Sequence, residues 1–210
     1  MNTETTASRF KFFTRAYYKV KRWFLTIFGD IKIFRWPFFV VYHPTSFKVK
    51  GKDTREIMSL LQPGDVVMRA YINYLDGYFI PTGSTRCSHS GVFIGDNTIV
   101  HSIAEGSISD DIIDFCRADR IVILRPVSGQ EWAIEHARKC AANNVEYDFD
   151  FQPDSGRYYC HEFSASCYPG LDIKPLSRNV FWFFPSPVVF LADSFYINKN
   201  FQLIYEFKKS

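Results

Sequence analysis

One thiol and two imidazoles carry most of the chemistry open to this chain. His89 and His101 stand near the two ends of Ser88-His89-Ser90-Gly91-Val92-Phe93-Ile94-Gly95-Asp96-Asn97-Thr98-Ile99-Val100-His101. Cys160 lies in Tyr158-Tyr159-Cys160-His161-Glu162-Phe163-Ser164. A thiol, a base to take its proton and a group to orient that base form the minimum set for nucleophilic attack on a carbonyl. A cysteine hydrolase is the leading expectation.

The elements around these residues must bring them together. Gly95-Asp96-Asn97 reads as a tight hairpin turn between two short strands. Cross-strand pairing then folds His89 back toward His101, and such a pair has side chains about 5 Å apart. One ring can hydrogen-bond the other and fix its tautomer. Small Ser90 and Gly91 leave room beside His89. Asp154-Ser155-Gly156 reads as a loop, which puts Cys160 where a helix begins. There the helix dipole and a nearby imidazolium are expected to lower the thiol pKa, and the Cys160 N–H can point at a developing oxyanion. Glu162 suits the same dipole. Cys116, Cys140 and Cys167 read as small buried hydrophobes. Cys87 competes with Cys160, but on or before the same strand as His89 it is poorly placed to meet that ring.

Composition narrows the classes. The 210 residues suit one domain with a full core, and 18% of them are aromatic. A net charge of +3 does not by itself point to nucleic acid, and no nucleic-acid partner is expected. The five cysteines are odd in number and lack CxxC or HxxxH spacing, so neither disulfides nor a metal site nor any other cofactor is expected, and a reducing, cytoplasmic setting is. No secretory signal is expected. The greasy stretch from Trp23 to Tyr42 is interrupted by Asp30, Lys32 and Arg35, a poor spanning helix.

Along the chain, residues 1–55 form a basic, aromatic N-terminal extension, and 56–210 the domain proper. In the extension Phe12, Phe13, Tyr17, Val20, Trp23, Phe24 and Ile27 recur at helical spacing, with Lys11, Arg15, Lys19, Lys21 and Arg22 between them. Two roles stay open: a helix lying on an anionic membrane surface, or a helix packing its aromatics on the domain with its lysines in solvent. The domain opens with the turn Pro63-Gly64-Asp65 and the strand Val66-Val67-Met68. Tyr71 to Gly83 is a helix or loop beside a cleft. Further strands are expected at Ile121–Leu124 and Phe201–Phe207, and a helix at Glu131–Ala142 with Trp132, Ile134, Ala137 and Cys140 inward. Strands in the middle with flanking helices predict an α+β domain: an antiparallel sheet with the Cys160 helix packed on one face.

His89-Ser90-Gly91-Val92-Phe93-Ile94-Gly95 with Val100-His101-Ser102 resembles the histidine hairpin of NlpC/P60 cysteine peptidases, a papain-like group. The cysteine motif follows the hairpin instead of preceding it. That order resembles the circularly permuted branch, the YiiX/YaeF-like, C92-type amidases related to lecithin retinol acyltransferases. Pro63-Gly64-Asp65-Val66-Val67 and Tyr147-Asp148-Phe149 match as well. The resemblance implies a permuted papain-like fold over about Leu61 to Phe207, with Cys160 as nucleophile, His89 as base, His101 as third polar residue and Tyr147 at the oxyanion site. Many permuted members place a glutamate third, which makes Glu105 the fallback. The implied substrate is the amide of a small or cell-wall-type peptide, or another acyl amide. The alternative is lipid acyl transfer or ester hydrolysis at the inner face of a membrane, which the basic aromatic extension and Phe181-Trp182-Phe183-Phe184 motivate. A non-catalytic binding module on the same fold is the third reading.

Overall fold

The computed structural model describes residues 14–25, 31–33, 40–42, 47–72, 84–152, 155–177 and 188–207. The expected loop from Tyr71 to Gly83 lies mostly outside the described residues, and the Phe181–Phe184 cluster wholly so.

The first elements among the described residues are helix α1 (14–25) and the strand pair β1 (Ile31–Ile33) and β2 (Val40–Tyr42). Helix α2 (Gly51–Leu60) leads to the main sheet. Its strands are β3 (Val66–Ala70), β4 (His89–Gly95), β5 (Thr98–Ile103), β6 (Gly106–Asp111), β7 (Arg120–Pro126) and β10 (Phe201–Glu206), in the order β10-β7-β3-β4-β5-β6 with every pairing antiparallel. Between them lie α3 (Ile112–Phe115), α4 (Gln130–Ala142), α5 (Cys160–Ser166), the short pair β8 (Leu176–Ser177) and β9 (Val188–Val189), and α6 (Ala192–Tyr196).

Both faces of the sheet are covered. This explains why β3, β4 and β7 read as continuous apolar runs and not as alternating ones. On one face Val66, Met68, Val92, Val100, Val122 and Leu124 pack with Ala133 and Ala137 of α4, Phe163 of α5 and Phe195 of α6. On the other, Val67, Phe93, Ile99, Ile121 and Ile123 pack with Ile57 of α2 and Ile112 and Phe115 of α3. The expected α+β sheet with the cysteine helix on one face is what forms. The inner side of α4 differs from expectation. Ala133, Ala137 and Cys140 face the sheet, while Trp132 stays 54% exposed and stacks on His136. Small residues let α4 approach closely where a Trp would hold it off.

The opening motif has a structural task. The Asp65 carboxylate is buried and accepts two bonds from the Arg125 guanidinium, each at 2.8 Å, and one from the Gln62 N–H. It fixes the start of β3 against β7.

Candidate active site

The β4–β5 turn has Asp96 and Asn97 at φ of 50° and 56°, the doubly left-handed geometry of a tight hairpin. One residue into β4 the register shifts. Gly95 faces Thr98, but Phe93 faces Ile99 and Gly91 faces His101, so Ile94 is an extra residue. This bulge decides the site. A regular ladder from the same turn would set His101 opposite Val92, on the face away from His89. With the bulge, His89, Gly91 and His101 share the face that carries Phe93, Ile99 and Phe115.

His89 and His101 are therefore diagonal neighbours across the hairpin. Their rings lie edge to face at 5.0 Å, and His89 Nε2 is 2.7 Å from His101 Nδ1. Gly91 leaves the space. A methyl there would sit 2.8 Å from the Val100 carbonyl oxygen and 2.9 Å from His101 Cβ. Phe115 backs both rings at 5.7 and 5.4 Å.

A third polar group, which the sequence reading missed, extends the line. His101 pairs with Ile108 across β5–β6, and two residues on, on the same face, Asp110 brings its Oδ2 to 3.6 Å from His101 Nε2. That separation is an electrostatic contact longer than a full hydrogen bond. A carboxylate only accepts, so its field favours the His101 proton on Nε2. Nδ1 then accepts from His89 Nε2–H, and the lone pair of His89 is left on Nδ1. Glu105, the fallback third residue, is exposed in the β5–β6 turn, where it lines a groove with Arg138 and Asn144. Asp110 takes the position beside His101 instead. A polar residue two places beyond the cross-strand partner was the available signal, but reading it requires the β5–β6 register.

Cys160 is the first residue of α5, packed on the opposite face of the sheet. A buried polar cluster holds this helix. Ser90 Oγ lies 2.8 Å from His161 Nδ1 and 2.8 Å from Ser164 Oγ, and donates to the Cys160 carbonyl at 3.2 Å. Ser102 Oγ donates to the Tyr158 carbonyl at 2.7 Å. The chain thus enters α5 where the β4–β5 ladder ends. Its sulfur donates to the Ser88 carbonyl at 3.6 Å and receives the Ser90 N–H. Both neighbours of His89 touch the thiol through their backbone, while among the described residues no contact joins the His89 ring itself to the sulfur. Tyr147 supplies the far wall: its hydroxyl faces both the Cys160 sulfur and the Cys160 N–H.

Burial governs the protonation states. It pushes the Cys160 thiol up to about 11, against the smaller opposing pull of the Ser90 N–H, the His161 N–H and Tyr147. The expectation of a lowered thiol pKa is not met. Seven residues make a weak dipole, and desolvation outweighs it. Burial, then the Arg69 charge, holds His89 well below its ordinary value. His101 is lowered by burial too, with Asp110 opposing, and His161 is lowered to about 4. Thiol and imidazoles are all neutral at pH 7. Histidines held neutral in the fold but free to protonate near pH 6.5 when unfolded make stability complete above that pH and progressively smaller below it. Thermal denaturation should show Tm falling steadily from pH 6.5 toward pH 4. A flat Tm over that window would mean these rings are not buried as neutral groups.

The family model for the permuted papain-like amidase enzyme, YaeF/YiiX, C92 family, matches residues 60–184. The chain belongs to this family. Its match spans the Pro63-Gly64-Asp65 turn, both histidines and the cysteine helix, in the permuted order. A solved structure titled metalloprotein yiiX from Escherichia coli O157:H7 is similar at a TM-score of 0.58 and 14% identity, over 71% of this chain and 99% of that one. The likeness supports the fold. A search of curated proteins finds no match. The word metalloprotein belongs to that relative. Among the described residues here, no three His, Cys, Asp or Glu are grouped to hold a metal. The His89 and His101 nitrogens face each other at 2.7 Å, a hydrogen-bonding separation.

Proposed function

We propose that this amidase-family chain cleaves an amide of a small or cell-wall-type peptide through a Cys160 acyl-enzyme. The supporting observation is the His89–His101 contact at 2.7 Å, on the strand whose flanking backbone grips the Cys160 sulfur. In this reading the thiol turns from the Ser88 carbonyl to His89, which takes its proton as sulfur attacks the carbonyl carbon. His101 holds His89. The oxyanion forms where the Cys160 N–H and the Tyr147 hydroxyl converge. His89 then protonates the leaving amine, and water, deprotonated by the same ring, resolves the thioester. Because thiol and imidazole are both neutral before attack, His89 acts as a general base and not as half of a standing ion pair.

That distinction is testable with iodoacetamide and peptide mapping. Thiolate is the reactive form, so Cys160 alkylation should climb through pH 9 with no plateau near neutrality. Cys160 should react ahead of Cys87, whose thiol burial pushes to about 12. Equal reactivity of the two would remove the nucleophile assignment. A plateau already present at pH 7 would replace the general-base step with an ion pair.

Asp110 enters as a positioning residue for the His101 tautomer. At a carboxylate 35% exposed and 3.6 Å away the effect is modest. Asp110→Asn should lower kcat about tenfold, with KM unchanged and the acid limb of the pH profile moved. An unchanged kcat and profile would show that His101 needs no such help.

The second reading, an acyltransferase or esterase working on lipid at the inner face of a membrane, draws on the outward aromatic face of α1. Among the described residues, no helix is long and apolar enough to cross a membrane, so such a role would be peripheral. Release of free acid from lipid esters, with no action on peptide amides, would favour it.

A further inference from the structure

Helix α1 is turned the unusual way round. Its domain-facing side is polar: the Tyr18 hydroxyl accepts the Tyr147 N–H at 3.1 Å, and Lys21 Nζ donates to the Phe149 carbonyl at 3.2 Å and pairs with Asp150. Tyr18 also packs on Phe149 with ring centres 5.4 Å apart. The large apolar residues face away. Tyr17, Val20, Trp23 and Phe24 are 63, 66, 66 and 58% exposed. Their spacing of three and four makes one stripe, and Arg15 and Lys19 are exposed beside it. A helix that docks on its own domain buries its aromatics. This one is fixed to the domain by polar contacts, while Tyr17, Val20 and Trp23 stay more than 60% exposed.

We propose that the outward face of α1 docks on an anionic lipid surface. An exposed contiguous apolar stripe marks an interaction site. Trp and Phe on one side with flanking Lys and Arg is the composition of helices that lie in the headgroup region. Charge selects the partner. Residues 1–55 hold twelve Lys and Arg against three acids, whereas the remaining residues hold thirteen against nineteen. A second copy meeting this face would set two strongly basic segments against each other, whereas anionic headgroups are attracted to it. The lipid surface would then lie beside the wall of the cleft, because α1 grips the backbone of Tyr147 itself. This proposal does not depend on the role given to Cys160.

The test uses the full chain with vesicles of phosphatidylcholine, with and without phosphatidylglycerol. The chain should sediment with the anionic vesicles at about 0.1 M salt and dissociate as salt rises, and Trp23 emission should shift to the blue. A combined Tyr17→Ser, Val20→Ser, Trp23→Ser variant alters only exposed positions, so it should fold and keep the parent's Cys160 alkylation rate while binding at least about tenfold more weakly. Cys160→Ala should bind as the parent does. Failure to bind anionic vesicles, or equal binding by the combined variant, overturns the proposal. So does a parent dimer, seen by light scattering, that the combined variant converts to monomer without any vesicle binding. That result would make the stripe a self-interface. None of these outcomes bears on the alkylation result, so this proposal and the catalytic one fail separately.

Discussion

Replacing the Cys160 sulfur by hydrogen should leave a protein that melts within a few degrees of the parent and hydrolyses no amide at a measurable rate. Folding survives because what holds the start of α5 is not the thiol. Ser90 Oγ and Ser164 Oγ grip the Cys160 carbonyl, and Ser102 grips the carbonyl of Tyr158, so Cys160→Ala keeps these bonds and loses one buried atom. Such a small truncation costs about 1 kcal/mol. Activity is another matter. Residues that act as a nucleophile–base unit fail together, and removing the nucleophile costs at least about 10⁴-fold in kcat/KM. The assay needs a substrate on which the parent turns over, with thermal denaturation run alongside. Parent-like turnover by a folded Cys160→Ala would end the acyl-enzyme reading and leave Cys87, or no thiol, to explain the activity.

The second large effect comes from a residue with no functional group. Gly91→Ala places a carbon within 3 Å of the Val100 carbonyl oxygen and His101 Cβ, and neither yields as the end of a flexible side chain would. The β4–β5 ladder must open at the pair where it meets the site. Overpacking of this kind costs about 1–3 kcal/mol. The larger consequence is geometric, since separating the imidazoles by even about 1 Å should cost on the order of 10²-fold in kcat. Measured well below the variant's own Tm, where the chain is folded, the loss should persist. If kcat recovers fully at low temperature, the damage is to stability alone and the ring-to-ring contact is not needed for turnover.

Much of this fold was legible in advance. Strands β3, β4, β5 and β7 are apolar runs bounded by Pro63-Gly64, Gly95-Asp96-Asn97 and Arg125-Pro126, and that punctuation survives into structure, whereas β6, with Ile108 as its one large apolar residue, carried no such signal. The helix at Cys160 followed from the loop before it, and the hairpin showed that two histidines come back together. Less legible was anything that hangs on a single residue of register. The bulge at Ile94 arises from competition between a doubly left-handed turn and a core that wants Phe93 and Ile99 on one face. Asp110 was hidden for the same reason, being diagonal to His101 and not opposite it. The orientation of α1 was beyond reach for a different reason. The contacts that turn its aromatics outward are made by Tyr147, Phe149 and Asp150, far along the chain, and a helical pattern shows a stripe without showing which side meets the domain.

The Ile94 bulge also limits how this hairpin can change in length. Glycine at the tip keeps the left-handed geometry of Asp96 and Asn97 and leaves the register alone. Losing Ile94 would leave a regular ladder that still sets Gly91 opposite His101, with both imidazoles on one face. Gaining one residue between Gly91 and Phe93, with the bulge kept, would set the new residue opposite His101 and carry one imidazole through the sheet to the α5 side, while both histidines stayed present in the sequence. Relatives of this chain that keep both histidines but carry one extra residue here should be inert, whereas those one residue shorter can keep both rings on one face. The number of residues between the histidines therefore separates working copies from silent ones where their identities would not.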